Sequence, residues 1–194
     1  MERWTPSDWS TWKYILNNII TFTIARTMQR LCLSLKKTMI SFFASIRNIS
    51  LVKLKHWFIV CLMPTHFHFL VFIQSFETTI IKNNFGILLS SYTKPINSRY
   101  TRHGSLFQLH TKAKPIDSDN YLMTLAAYIH QNPIRAGLTS KLEDWKYTSY
   151  RDYVGLENTG MINKETLLKQ CGTIEEFKLF SEQLLLTVDS KYWV

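Results

Sequence analysis

The chain has little of what builds cross-linked, repetitive or membrane-spanning proteins. Three of its 194 residues are cysteine (Cys32, Cys61 and Cys171), an odd number at no ligand-like spacing. That excludes a disulfide framework and a cysteine-rich zinc cluster, and it makes a reducing cytosol the default compartment. Six glycines and five prolines leave no room for collagen-like or low-complexity organisation. The longest apolar stretch, Trp57 to Ile73, is broken by Pro64, Thr65, His66 and His68 and is too short and too polar at its centre for a membrane span. Met1 is followed by an acid and tryptophans, not by the charged start and apolar run of a secretory signal. Acidic residues are nearly missing from the first 114 positions, which hold three against 15 basic ones, whereas 115–194 hold 11 acidic and 8 basic. What remains is 46% hydrophobic with a net charge of +9, enough for one globular domain with a full core and a basic surface suited to a polyanion.

Apolar patterning predicts a buried strand from Leu54 to Met63, a brief Pro64-Thr65 connection, and a second strand from His66 to Ile73 that pairs with the first. Ile80, Ile81, Phe85, Leu88, Leu89 and Tyr92 recur at helical spacing, which predicts a helix over Glu77 to Tyr92. The stretch Lys94 to Lys114 carries Lys94, Arg99, Arg102, Lys112 and Lys114 with His103 and His110 and no acid; Tyr100 and Phe107 are interleaved in it, and Ser105 to His110 alternates like a strand. Asp117, Ser118 and Asp119 offer N-caps to a helix through Tyr121, Leu122, Leu125, Tyr128 and Ile129, which Pro133 is expected to end at Asn132. Short helices are expected near Lys164–Gln170 and Ile174–Leu185.

Two constellations can carry chemistry. In His66-Phe67-His68 on a strand, the two imidazoles point to one face roughly 7 Å apart and can converge on a divalent metal, while Phe67 points away. In Tyr128-Ile-His-Gln-Asn132, the phenol and the amide sit four residues apart on one helix face, about 6 Å from each other. A phenol with a pKa of about 10 is a poor nucleophile unless a cation stabilises the phenolate or the electrophile is activated, and an amide oxygen is a suitable hard ligand for magnesium or manganese beside two histidines. Taken singly, each motif also fits a plain structural role: two half-exposed strand histidines, and a tyrosine at the edge of a core.

Taken together, the motifs resemble the HUH single-tyrosine transposases, in particular the REP-associated tyrosine transposase branch. The resemblance rests on Cys61-Leu-Met-Pro-Thr-His-Phe-His-Phe-Leu-Val71, Gly104-Ser-Leu-Phe-Gln108, Tyr128-Ile-His-Gln-Asn-Pro-Ile-Arg-Ala-Gly-Leu138 and Trp145-Lys-Tyr-Thr-Ser-Tyr-Arg-Asp-Tyr153, in that order over residues 56–155. It implies an α+β, ferredoxin-like antiparallel sheet with flanking helices (the HUH endonuclease fold) and a small helical C-terminal appendage. His66 and His68 would be ligands of Mg2+ or Mn2+, Asn132 a third ligand, and Tyr128 the nucleophile. The implied activity is cleavage and rejoining of single-stranded or hairpin DNA through a 5′-phosphotyrosine, with no membrane partner and a cytoplasmic, prokaryotic, nucleoid-associated location. Lys94, Arg99, Tyr100, Arg102, His103, Lys112, Lys114 and Arg135 are the expected DNA contacts. Thr65 stands where Asn is commoner in that family.

Residues 1–53 lack the family's usual opening, a strand of the type Tyr-His-(apolar)-Tyr-Asn-Arg followed by a helix with Glu-Glu-Asn-Tyr and Phe-Phe-Leu. Reading back-translated codons of Ile20 to Ile49 from their third base, with one allowed set of synonyms, gives HIYNRTNNAKALFVPEENYDFFLRKYKKY without a stop. The expectation is therefore an out-of-frame strand and helix over 1–53, a transposase core over 54–139 and a C-terminal extension over 140–194. Two other functions stay open on the residues alone: a non-catalytic nucleic-acid-binding protein of ferredoxin-like fold, and a hydrolase in which His66 and His68 activate water through a metal.

Overall fold

The computed structural model describes residues 19–24, 39, 42, 44–46, 56–72, 78–107, 112–116 and 118–183. Four strands form one sheet: β1 (Ile19–Ile24), β2 (His56–Leu62), β3 (Phe67–Phe72) and β4 (Lys112–Pro115), in the order β2-β3-β1-β4. Every neighbouring pair is antiparallel. The helices are α1 (Thr78–Arg99), α2 (Asp119–Arg135), a 3-10 turn (Leu142–Asp144), α3 (Tyr150–Tyr153), α4 (Glu165–Cys171) and α5 (Ile174–Glu182). Mixed helices with a small antiparallel sheet make the fold α+β.

The sheet separates two cores, and side-chain alternation decides which residue joins which. Val60, Leu62, Phe67, Phe69 and Val71 meet helical Met39, Phe42 and Ile46 together with Phe85, Leu88, Tyr92 and Ile96 of α1. On the opposite face Ile59, Cys61, Met63 and Leu70 meet Leu122, Leu125, Ala126 and Ile129 of α2, with Tyr150, Tyr153, Leu167 and Phe177 behind them. β2 and β3 form the expected hairpin, closed by the Met63 amide donating to the His66 carbonyl at 2.8 Å.

Both proline-containing helices outlast the ends expected for them. α1 runs through Pro95 to Arg99, beyond Tyr92. α2 is capped by Ser118, whose side chain accepts from the Tyr121 amide, and continues through Pro133 to Arg135. Pro133 lies in the last turn, where a proline forfeits one backbone bond and the following carbonyls still find donors. Leu138 N donates to the Pro133 carbonyl and Gly137 N to that of Ile134, both at 2.9 Å. This is a Schellman closure, and it needs the left-handed φ of +66° that Gly137 supplies. The strand expected over Ser105 to His110 is not present at Ser105–Phe107, where Leu106 and Phe107 turn into the core instead; 108–110 lie outside the described residues.

β2 is an edge strand, and the Trp145–Tyr153 stretch closes that edge. Trp145 Nε1 donates to the Leu62 carbonyl at 2.9 Å, Leu62 N to the Tyr147 carbonyl at 2.9 Å, and Ser149 N to the Val60 carbonyl at 2.8 Å. Val60 N donates to Ser149 Oγ at 3.0 Å. An exposed row of strand amides and carbonyls is thereby satisfied inside the chain.

Candidate functional site

The histidine pair sits where β3 begins. His66 precedes the strand and His68 is its second residue, and their rings lie 4.9 Å apart, edge to face. His68 shares the parity of Leu70 and stands opposite Cys61 in the β2–β3 ladder, so it belongs to the sheet face covered by α2. Phe67 points to the other core, as alternation requires. Burial lowers the pKa of His68 to about 3, with a smaller push from His66, and burial lowers that of His66 as well. Both imidazoles are therefore neutral at pH 7, the form that offers a lone pair to a metal.

Thr65, noted in the sequence only as a departure, has a structural part to play. Its hydroxyl lies 3.0 Å from His66 Nδ1. When Nδ1 carries the proton and donates to that hydroxyl, Nε2 is left with its lone pair free to ligate. The signal was Thr65's adjacency to His66.

Tyr128 and Asn132 share a face of α2, one half-buried and the other 8% exposed. Tyr128 packs against the core that holds Cys61, Met63 and Leu70, on the same side of the sheet as His68. The Arg135 guanidinium carbon lies 5.5 Å from the centre of its ring. Burial raises the phenol's pKa and the Arg135 charge opposes that rise. Asn132 Nδ2 is buried with no hydrogen-bond partner. Cys61 offers no competing nucleophile, because burial pushes its thiol up to about 12.

Among the described residues, no group of three His, Cys, Asp or Glu could hold a metal ion. Two imidazoles and an amide are thus the donors available. Half a turn of the Asn132 amide would put its oxygen where the unpartnered nitrogen now lies, and an amide oxygen is a donor of the kind a hard divalent ion takes.

The expected DNA contacts fall on three parts of the chain: the end of α1 with the loop after it, β4, and the end of α2. Lys94, Arg99, Tyr100 and His103 are exposed at the end of α1 and in the loop after it, with Arg102 half-buried and the Arg99 guanidinium over the Tyr100 ring at 5.8 Å. The loop leads into Phe107, which meets Phe67 edge to face at 5.8 Å, so it approaches the His66–His68 end of β3 from the opposite side of the sheet. Lys112 and Lys114 lie on β4, and Arg135 lies beside Tyr128.

An antiparallel sheet with a paired-histidine strand and a tyrosine helix on one face defines a class of site rather than an activity. In comparison with solved structures, the chain is similar to a REP-associated tyrosine transposase bound to a REP hairpin, with a TM-score of 0.60 and 15% sequence identity over 76% of this chain and 87% of that one. At that identity the likeness shows a shared fold. No protein-family model matches the chain, and no curated protein matches it by sequence.

Proposed function

We propose that the chain is a DNA strand transferase that cuts and rejoins single-stranded or hairpin DNA through Tyr128. The observation carrying this reading is that the His66–His68 pair and the Tyr128 helix lie on the same face of the sheet, with α1 and helical Met39, Phe42 and Ile46 on the other. The strand order β2-β3-β1-β4, with helices between β1 and β2 and between β3 and β4, supports the ferredoxin-like form of the HUH fold. The similar structure's bound hairpin supports the substrate. On this reading 54–139 is the core and 140–194 an extension whose Trp145–Ser149 stretch covers the β2 edge.

In the reaction, Tyr128 Oη attacks the scissile phosphorus in line. The Oη–P bond forms, the P–O3′ bond breaks, the phenolic proton passes to solvent and the departing O3′ is protonated to a free hydroxyl. A 5′-phosphotyrosine results, which a second strand's 3′-hydroxyl reverses without ATP because the phosphodiester's energy is kept in the new bond. Arg135, beside the ring, favours the phenolate that burial disfavours. His66, His68 and Asn132 would hold Mg2+ or Mn2+, which when bound supplies Lewis-acid polarisation of a phosphate oxygen. Lys94, Arg99, Arg102 and His103 attract the backbone and Tyr100 offers a ring for a base to stack on.

The test is a hairpin oligonucleotide with single-stranded flanks and manganese, followed on a denaturing gel. A covalent protein–DNA adduct is expected, abolished by Tyr128→Phe and by His66→Ala. A second reading, a nucleic-acid-binding protein without catalysis, draws on the small donor set among the described residues. It predicts retained hairpin binding and no adduct from the unmodified chain. Cleavage that leaves no adduct and survives Tyr128→Phe would point instead to a metal-dependent hydrolase.

A further inference from the structure

His130 takes no part in the steps above, yet its hydrogen bond joins the two elements that carry them. It lies on α2 midway between Tyr128 and Asn132 and is 1% exposed. Its Nε2 is 3.1 Å from Ser149 Oγ. That same oxygen accepts the Val60 amide of β2 at 3.0 Å, and the Ser149 amide donates back to the Val60 carbonyl. Val60 is the residue before Cys61, which stands opposite His68. A chain of polar contacts therefore runs from the helix of the tyrosine to the strand pair of the histidines. Three rings enclose the imidazole at centroid distances of 5.5 Å (Tyr150), 5.8 Å (Tyr153) and 6.0 Å (Phe177).

The apolar contacts that hold α2 on the sheet are not directional: Leu122, Leu125, Ala126 and Ile129 would tolerate a small roll of the helix. A roll of about 20° on a helix of about 10–12 Å diameter displaces a side chain at its rim by about 2 Å. Misplacement by about 1 Å can cost a factor of about 100 in rate. A hydrogen bond to a serine that is itself fixed to β2 at two points resists such a roll, because its geometry fails within a few tenths of an ångström.

We propose that His130 and Ser149 are positioning residues, and that the Val60–Ser149–His130 bridge sets the rotation of the tyrosine helix against the strand pair bearing His66 and His68. The kinetic part of this proposal rests on the strand-transfer reading; the structural part does not.

Four variants test it. His130→Leu and Ser149→Ala break the bridge, whereas His130→Gln and Ser149→Thr keep a hydrogen-bonding group within reach. Broken-bridge variants are expected to form the adduct about tenfold or more slowly while hairpin affinity stays within about twofold, and the conservative pair to recover most of the rate. The double variant His130→Leu with Ser149→Ala should be no slower than the slower single one, since both remove one device. A readout free of catalysis is the 19F spectrum of the full chain carrying 3-fluorotyrosine at position 128, expected to shift or broaden in the broken-bridge variants and to match the unmodified chain in the conservative pair. Unchanged rates and an unchanged fluorine line in His130→Leu and Ser149→Ala would overturn the proposal. So would a parallel loss of melting temperature, binding and rate in all four variants, which is the mark of a merely structural pair. If the unmodified chain forms no adduct, the strand-transfer reading fails, and the fluorine line alone then decides the positioning.

Discussion

Acid should destabilise the metal-free protein well before its carboxylates are neutralised. Burial holds His130 and His68 to a pKa of about 3 each, against 6.5 for an ordinary imidazole. In the unfolded chain both would take up protons as the pH falls below about 6.5; in the folded chain they would not. The unfolded state then binds more protons, so stability is full above about 6.5 and declines as the pH falls from there toward 3. At pH 5, 1.5 units below 6.5, each histidine contributes about 2 kcal/mol of loss at about 1.4 kcal/mol per unit, and the two together about 4 kcal/mol. His66, shifted in the same direction, adds to the decline. Against a usual total of about 5–15 kcal/mol this is a large fraction. Urea unfolding with EDTA at pH 7.5, 6.0 and 5.0 measures it, and His130→Gln should remove about half of the two-histidine decline by deleting one of the linked protons. A midpoint that does not move between pH 7.5 and 5.0, or a full decline in the His130→Gln variant, would refute the reasoning.

Trp145→Phe should lower stability by about 1 kcal/mol, the ordinary worth of one hydrogen bond, because it leaves the Leu62 carbonyl on the β2 edge without its indole donor; thermal melts check it. Arg99→Gln combined with Arg102→Gln should weaken hairpin binding and reduce the dependence of log K on log salt by about 1.4 if both arginines neutralise single-strand phosphates. A slope unchanged from that of the unmodified chain would remove the α1 end from the DNA path.

The parts of the fold written in local pattern were readable in the sequence. Apolar runs marked β2 and β3, and the cap candidates Asp117, Ser118 and Asp119 marked the start of α2, because a run and an N-cap depend on near neighbours alone. α1 outran the Tyr92 end of its apolar spacing, and α2 outran the Asn132 end expected from Pro133, because a proline near a helix's last turn costs little when distant packing and a Schellman closure hold the backbone. His66-Phe-His68 and the Tyr128–Asn132 spacing were visible as motifs, but no local rule could say that both would fall on one sheet face. That depends on which side α2 packs, a fact spread over Ile59, Cys61, Met63 and Leu70 on the sheet and Leu122, Leu125 and Ile129 on the helix. The Ser149–His130 contact was invisible for the same reason: the two meet across 19 residues, and the Val60 amide that donates to Ser149 comes from 89 residues before it.

The inner strand β1 gives the reading-frame expectation a structural consequence. Its register puts Thr23 opposite His68 and Thr21 opposite Leu70. In the shifted reading, the codon joining Phe22 to Thr23 encodes Tyr and the one joining Thr23 to Ile24 encodes Asn. Consecutive strand residues point to opposite faces, so one of the two, the phenol or the amide, would share the sheet face of His68. Both versions alternate in a way that can form a strand, so the fold tolerates either frame, while the polar surroundings of His68 do not. Restoring the shifted frame over codons 20–49, with a compensating shift before Leu54, should therefore leave the far-ultraviolet circular dichroism nearly unchanged and raise the rate of adduct formation on a hairpin. Coding DNA whose shifted frame does not give that peptide would refute the reading-frame expectation, and a restored chain no faster than the present one would show that the altered side chains of the opening segment have no bearing on the reaction.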